Sequence, residues 1–313
     1  MIDLEQIQQA RERIAKVAKR TPLIVSETIS ADIGNQLFLK SEHLQKTGSF
    51  KIRGAANKVI FEKERNVKSV VAASSGNHGQ AVAYIAKQLG IRAHVVLPEN
   101  AAACKREAIL AYQGNLEFCG KTSEERIERA KQICAEEQAV FIPPYDDPMI
   151  MAGQGTVGLE ILEQLEDVEE VYVPIGGGGL ISGVATAIKE SRPSVRVIGV
   201  EPAMANDTYL SMREGKRIHR GIADTIADGL RTTMPGELTF PVVQRYVDEI
   251  VLVEEDAIKQ AFMYVLTRTK QVIEPSGAVS VAAAMASGAR GKRIVAVVSG
   301  GNVDTAVIPS LLV

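Results

Sequence analysis

Short apolar segments alternate with longer segments of helical periodicity along most of the chain, and this alternation is the strongest constraint on its fold. Residues 70–73, for example, read Val-Val-Ala-Ala and precede a helical pattern that ends at Gly90. Strands that alternate with helices pair in parallel, so the pattern predicts an α/β fold of two open, mainly parallel twisted sheets flanked by helices. The predicted strands are residues 37–39, 70–73, 93–97, 116–118, 140–142, 171–174, 195–200, 250–253 and 294–298. Ligands of such sheets are expected at the carboxyl ends of the strands.

The proline-rich segment 143–148, Pro-Pro-Tyr-Asp-Asp-Pro, interrupts the alternation between two series of strands and helices. Clustered prolines stop both helices and central strands, so they favour a boundary. We therefore expect a small α/β domain of residues 61–145 and a large domain built from residues 1–60 and 146–313.

The composition excludes several classes of partner. The 313 residues carry a net charge of −2, which provides no basic surface for nucleic acid or an anionic membrane. No uninterrupted apolar stretch reaches membrane-spanning length. The acidic start of the chain does not resemble a signal peptide, and the three cysteines form no Cys-x-x-Cys pair. We therefore expect a cytoplasmic protein with a small-molecule substrate.

Lys51 lies at a predicted helix start in the segment Gly-Ser-Phe-Lys-Ile-Arg-Gly-Ala. Gly48 and Ser49 offer turn and N-cap chemistry before it. An amine at this position feels the positive end of the helix dipole, which favours the neutral nucleophile that forms an imine with an aldehyde. A solvated surface lysine is the alternative interpretation.

The run Gly176 to Gly179 follows a predicted strand and opens a helix. Without side chains, the backbone N–H groups of such a run can converge on a phosphate at the positive end of the helix. The dinucleotide pattern GxGxxG fails, because Ser182 stands at the third glycine position when counted from Gly177, and the Walker pattern fails as well. The run therefore predicts a phosphate site of another kind, with a flexible turn as the alternative.

Two further polar loops follow predicted strands. The first runs from Ser74 to His78 and supplies hydroxyl and amide groups at a helix start, although a plain N-cap turn would look the same. Ser299 begins the second loop, Ser-Gly-Gly-Asn. An imine-forming lysine, a glycine phosphate site and two polar strand ends together indicate a phosphorylated aldehyde cofactor, pyridoxal 5'-phosphate.

The sequence at this point resembles the fold-type II pyridoxal-phosphate enzymes, in the branch that holds threonine and serine dehydratases and serine racemase. The resemblance covers nearly the whole chain, in the order typical of that family. The motifs that carry it are Ser49-Phe50-Lys51-Ile52-Arg53-Gly54-Ala55, Ser75-Gly76-Asn77-His78, Ala152-Gly153-Gln154-Gly155-Thr156, Gly176 to Gly179 and Ser299-Gly300-Gly301-Asn302.

The resemblance implies a role for each motif. Lys51 would hold the cofactor as an imine and then act as the catalytic base, with Phe50 packed near the ring. Asn77 would bind the ring hydroxyl, Gly176 to Gly179 the phosphate, and Ser299 the pyridine nitrogen. The substrate carboxylate would bind the loop that comprises Ser74, Ser75, Gly76, Asn77 and His78.

The implied activity is an ammonia-lyase (dehydratase) reaction that converts L-threonine or L-serine to a 2-oxo acid and ammonia by β-elimination. The alternatives are a serine racemase with dehydratase side activity, and a dehydratase for 3-hydroxyaspartate or another hydroxy-amino acid. Two features point in different directions. Ser75 resembles the racemase, where the serine is a second catalytic group, whereas segment 143–148 resembles the dehydratases.

The loop from Glu201 to Asp207 combines two carboxylates with backbone carbonyls, which are oxygen ligands suited to Mg²⁺ or Ca²⁺. The racemase branch places a divalent cation here, and the resemblance implies Glu201, the carbonyl of Ala205 and Asp207 as ligands of Mg²⁺ or of another cation such as Ca²⁺ or Mn²⁺. Two solvated carboxylates are the alternative interpretation.

The resemblance further implies a homodimer. An interface nucleotide effector occurs in the racemase branch, and four residues resemble that site, although ordinary surface polarity explains them equally: Gln80, Arg268, Lys270 and Asn302. Because the sequence ends near its last predicted strand, we expect no regulatory C-terminal domain.

Overall fold

The computed structural model describes residues 1–74, 76–99, 101, 103–120 and 123–312. Its strands form one six-stranded and one four-stranded sheet. The strands are β1 (Leu23–Val25), β2 (Gln36–Ser41), β3 (Ser69–Ala73), β4 (Arg92–Leu97), β5 (Asn115–Phe118), β6 (Val140–Phe141), β7 (Glu170–Pro174), β8 (Arg196–Pro202), β9 (Glu249–Val253) and β10 (Arg293–Val298). The predicted fold class is confirmed.

Thirteen α-helices lie in the described part of the chain. They are α1 (Leu4–Ile14), α2 (Glu27–Ile33), α3 (Lys51–Glu64), α4 (Asn77–Leu89), α5 (Ala103–Ala111), α6 (Ser123–Glu137), α7 (Pro148–Gln164), α8 (Gly179–Ser191), α9 (Asp207–Glu214), α10 (Thr239–Tyr246), α11 (Glu255–Tyr264), α12 (Pro275–Met285) and α13 (Ile308–Leu311). None of the described helices is long and apolar enough to cross a membrane.

The larger sheet has the order β1-β2-β10-β7-β8-β9 and is parallel except for β1, which pairs antiparallel with β2. Helices α2, α11 and α12 pack on one face, where Phe262 is buried against the sheet. Helices α7, α8 and α10 pack on the other face, where Val184 and Val243 are buried. The sheet is therefore the central layer of a three-layer lobe.

The smaller sheet has the order β5-β4-β3-β6 and is parallel throughout. Alternate residues of β3 face opposite sides, as the period of a strand requires. Val70 packs with α3 and α4, whereas Val71 packs with α6. Both faces of β3 are thus covered, and all five of its residues are buried, which explains why most of this strand is an apolar run.

The position of the domain boundary remains a prediction. The proposed division at residue 60 falls inside α3, which continues to Glu64. This helix packs Ile52 and Val59 into the core of the smaller sheet, although Lys51 at its first turn faces the cavity described below. Helix α3 therefore packs in the core of the lobe of the smaller sheet, and its first residue lines a cavity that residues of both lobes form.

Candidate active site

A cavity of about 200 Å³ lies where the carboxyl ends of strands from both sheets meet. The sequence-predicted cofactor and substrate residues that the structure describes all line it: Phe50, Lys51, Ser74, Gly76, Asn77, His78, Gly176, Gly177, Gly178, Gly179 and Ser299. Ser75 lies outside the described residues. Phe50 and Ser299, which are 249 residues apart in the sequence, are thus brought into one cavity, as parallel-sheet topology predicts.

Lys51 is the first residue of α3, and its Nζ donates a hydrogen bond of 2.8 Å to the carbonyl oxygen of Pro144. Burial lowers the pKa of Lys51 to about 8, because it disfavours the ammonium form, although the nearby carboxylate of Glu274 opposes this shift. A larger fraction of this amine is neutral near physiological pH than in an ordinary lysine. That is the property an imine-forming lysine requires.

The expected N-cap at Ser49 was wrong. The residue before α3 is Phe50, in helical conformation and without a side-chain cap, and the hydroxyl of Ser49 is buried with no partner in the described part of the chain. The Ser49 backbone pairs instead with Gly300, which follows β10. The lysine segment is therefore fixed by a backbone bridge to a distant strand end.

The glycine run follows β7, which ends at Pro174, and its last residue begins α8, with Gly178 in the left-handed region at φ +89°. A Cβ atom at Gly177 would lie 2.4 Å from the ring of Tyr145, and one at Gly178 would lie 2.8 Å from Thr239 Oγ1. Alanine would fit at neither position without movement of a neighbour. The first N–H groups of α8 have no intrahelical acceptor and lie at the cavity wall, where a phosphate would satisfy them.

Asn77 has its amide orientation fixed by two neighbours. Its Nδ2 donates to Glu274 Oε1 at 2.7 Å, and its Oδ1 accepts from Asn302 Nδ2 at 2.8 Å. One N–H of the amide remains for a ligand in the cavity. The loop that follows β10 therefore contributes two residues to the site, Ser299 and Asn302. The hydroxyl of Ser299 makes only a 3.4 Å contact with the carbonyl oxygen of Ser276.

Sequence reasoning missed Glu274. Burial raises its pKa to about 7, with repulsion from Asp228 as the second cause, while Lys105 and the hydrogen bond from Asn77 act in the opposite direction. It precedes Pro275 at the start of the buried helix α12. The available sequence signal was its position directly before an apolar helix, because a residue that begins a buried helix is itself expected to be buried.

Lys105 and Asp228 were also missed. They form an ion pair at the cavity wall, between α5 of the small lobe and a loop of the large lobe. Neither residue lies in a segment with a recognisable motif, and only the packing of the lobes brings them together.

His78 contacts a backbone carbonyl of a distant segment, 64 residues further along the chain. Its Nε2 lies 2.8 Å from the carbonyl oxygen of Ile142, and burial together with the charge of Lys51 lowers its pKa to about 3. The imidazole is therefore neutral and donates to that carbonyl, which leaves no general-base role at this nitrogen.

The predicted metal residues Glu201, Ala205 and Asp207 are all buried and lie outside the cavity lining. Glu201 accepts hydrogen bonds from the backbone N–H groups of Thr208 and Tyr209. Burial raises the pKa of Glu201 to about 8 and of Asp207 to about 6. No group of three or more His, Cys, Asp or Glu side chains within the described residues could hold a metal, so a cation here would need carbonyl or water ligands.

The match to a family model decides what kind of protein this is. Residues 14–300 match the model described as pyridoxal-phosphate dependent enzyme. The chain belongs to the pyridoxal-phosphate dependent enzymes. This family holds the aldehyde cofactor that Lys51 and the glycine run predicted.

Individual relatives show to which branch of the family the chain belongs. The L-threonine ammonia-lyase of Geobacter sulfurreducens is 44% identical over 98% of this chain and 77% of its own length. The serine racemase of Dictyostelium discoideum is 40% identical over 99% of this chain and 98% of its own. The structure of maize serine racemase superposes with a TM-score of 0.94 at 42% identity, covering 99% of this chain and 96% of that one. The predicted branch is confirmed.

Proposed function

We propose that this pyridoxal-phosphate dependent enzyme is an ammonia-lyase that converts L-threonine or L-serine to the 2-oxo acid and ammonia. The supporting observation is the pairing of a buried lysine of lowered pKa with a side-chain-free loop at a helix start, in one cavity. Relatives named L-threonine ammonia-lyase and L-threonine dehydratase, 40% to 44% identical, support the choice of reaction.

The residues that line the cavity fit the cofactor. Lys51 would hold its aldehyde, the N–H groups of the glycine run its phosphate, and the free N–H of Asn77 its ring hydroxyl. Ser299 would face the pyridine nitrogen, where a hydroxyl stabilises a ring proton less than a carboxylate does. The cofactor, when bound, withdraws electrons from the substrate Cα, and this neutral partner suits elimination or racemisation more than transamination.

The substrate would be positioned by the start of α4. Ser74 Oγ already accepts from the N–H groups of Gly76 and Gly79, at 3.0 and 2.9 Å, and so holds the shape of the loop. The N–H groups of Asn77 and His78 are the first two of α4 and have no intrahelical acceptor. They are the donors we propose for the substrate carboxylate, with the helix dipole in support.

Proton transfer is assigned to Lys51. With the substrate in place, its neutral amine would take the Cα proton, and the lowered pKa keeps that amine available near neutral pH. The β-hydroxyl would then take a proton from a nearby acid and leave as water, and the enamine that remains would react with a second water to give the 2-oxo acid and ammonia. Pro144, whose carbonyl holds Nζ at 2.8 Å, would orient the amine between these steps.

Serine racemisation is the second candidate activity, because relatives named serine racemase match over 96% to 99% of the chain. It would require a proton donor on the opposite face of the substrate, the role proposed for Ser75. Incubation with L-serine, L-threonine and L-threo-3-hydroxyaspartate, with 2-oxo acid and D-serine measured together, tests both candidates. A Ser75→Ala variant that loses both activities equally would remove the two-face assignment.

We expect the attachment of pyridoxal phosphate to the apoprotein to accelerate as the pH rises through about 8. The reason is that the free amine of Lys51 reacts, and burial has lowered its pKa from 10.5 to about 8. Borohydride trapping at timed intervals, followed by peptide mapping, gives the rate and the labelled residue. A rate that continues to rise to pH 10, or label on another lysine, would contradict this assignment.

A divalent cation, Mg²⁺ or alternatively Ca²⁺ or Mn²⁺, is proposed at Glu201, the carbonyl of Ala205 and Asp207. Two buried carboxylates whose pKa values are raised by burial form a donor set that such a cation would satisfy. We expect EDTA to lower the melting temperature and excess Mg²⁺ to restore it. The Asp207→Asn variant should no longer respond to either, and an unchanged melting curve of the wild type in EDTA would exclude the site.

A homodimer is proposed from the family resemblance, and a cytoplasmic location from the three cysteines, which form no Cys-x-x-Cys pair and suit reduced thiols. Light scattering after size-exclusion chromatography measures the first, and cell fractionation the second.

A further inference from the structure

The loop between β6 and α7 contacts Lys51 and the glycine run through two consecutive residues, Pro144 and Tyr145. Pro144 accepts the hydrogen bond from Lys51 Nζ. Tyr145 packs against Gly177 and Gly179, where any Cβ would collide with it. The next residue is Asp146, and its carboxylate accepts hydrogen bonds from a different part of the chain, residues 237–239.

Asp146 caps α10, which lies more than 90 residues further along the sequence. Its Oδ1 accepts from the N–H groups of Leu238 and Thr239 at 2.8 and 3.2 Å, and its Oδ2 accepts from Glu237 N–H at 2.9 Å. Leu238, at the N-cap position, cannot make these contacts itself. A Cβ at Gly236 would lie 2.3 Å from Asp146 Oδ1, so the close approach depends on a glycine.

The capped end of α10 in turn holds the glycine run. Thr239 Oγ1 donates to the Gly177 carbonyl at 2.7 Å, and the N–H of Gly236 donates to the same oxygen at 3.4 Å. In a planar trans peptide, the carbonyl of one residue and the N–H of the next point in opposite directions. Fixing the Gly177 carbonyl on Thr239 therefore fixes the Gly178 N–H in the direction away from Thr239.

We propose that Asp146 is a positioning residue for phosphate binding: through α10 and Thr239 it sets the direction of the N–H groups in the glycine run. The inference rests on the proposed function, in which this run binds the cofactor phosphate. It assigns to Asp146 a role at the phosphate end of the cofactor, in addition to the contact that Pro144 of the same loop makes with Lys51.

Pyridoxine 5'-phosphate is a suitable probe, because it carries the phosphate but has no aldehyde to react with Lys51. We expect Asp146→Asn to weaken its binding to the apoprotein by about tenfold, since the variant loses the negative charge and replaces one of the two acceptor oxygens with an NH2 donor. Pyridoxine without phosphate should bind the variant and the wild type equally. Thr239→Val, which removes only the linking hydroxyl, should weaken binding of the phosphate compound in the same way. Titration calorimetry measures all of these affinities.

Asp147→Asn is the matched control. Asp147 lies in the same loop and also caps a helix, α7, through the N–H groups of Met149 and Ile150, but it has no contact with α10 among those described. It should lower the melting temperature without changing the affinity for pyridoxine 5'-phosphate. Equal weakening by Asp147→Asn, or wild-type affinity in both Asp146→Asn and Thr239→Val, would overturn the role of Asp146 but leave the proposed function intact. A wild-type protein that does not bind pyridoxine 5'-phosphate would overturn both the role of Asp146 and the proposed function.

Discussion

Replacement of Lys51 with alanine is expected to reduce kcat/KM for L-threonine by about four orders of magnitude or more, because the variant lacks both the amine that holds the cofactor and the base that takes the Cα proton. Lys51→Arg should be as inactive, since a guanidinium stays protonated and cannot form an imine. Activity is measured as 2-oxo acid released.

The same variant separates chemistry from binding. The glycine run remains intact in Lys51→Ala, so pyridoxine 5'-phosphate should still bind. Lys63→Ala provides the control, because Lys63 lies in the same helix but not in the cavity lining, and its removal should leave activity unchanged. Substantial turnover by Lys51→Ala would place the reactive amine elsewhere.

Replacement of Glu160 with glutamine is expected to lower the free energy of unfolding by about 3–5 kcal/mol, because it breaks a buried ion network. Glu160 on α7 contacts Arg53 Nη1 at 2.7 Å and Lys40 Nζ at 2.6 Å, and Arg53 Nε lies 2.8 Å from Glu42. Two cations and two anions balance in the native protein. The variant would leave two buried cations against one carboxylate.

Lys40 gives this loss a characteristic pH dependence. Burial lowers its pKa, while Glu160 and Glu42 raise it, so removal of Glu160 lowers it further. A lysine with a depressed pKa becomes neutral as the pH rises, which relieves the unbalanced charge. The difference in stability between the variant and the wild type should therefore shrink at alkaline pH, as followed by urea denaturation.

Glu163 on the same helix is the matched control. It pairs with Arg11 and Arg20 at the surface, and its side chain is 39% exposed against 12% for Glu160. Solvent screens such pairs, so Glu163→Gln should cost less than about 1 kcal/mol. Equal effects of the two substitutions would show that the buried network does not carry the stability assigned to it.

The sequence predicted the parts of the site that follow from strand topology. Lys51, Asn77, the glycine run and Ser299 each follow a strand or open a helix, and parallel strands bring such ends to one edge. Glu274 was missed: the apolar helix after it indicated burial, but its role depends on how α12 packs against the loop of Asn302.

Fold details were missed where the local signal was weak or ambiguous. The three residues of β1 are too few to show a period, and this strand is the antiparallel one. Ser49 has the chemistry of an N-cap, but its backbone is held by Gly300, and this tertiary contact overrides the local preference. Lys40 was likewise invisible as a core residue, since nothing near it in the sequence indicates its partner Glu160, 120 residues away.

The order of the large sheet has a consequence for how the protein is made. Strand β10 is the last of the described strands in chain order, yet it lies between β2 and β7. A ribosome delivers β2 and β7 before β10, so these two strands have no partner between them until β10 has been synthesised. Ser299 and Asn302 follow β10, so the pocket can be completed only after every other described strand has left the ribosome.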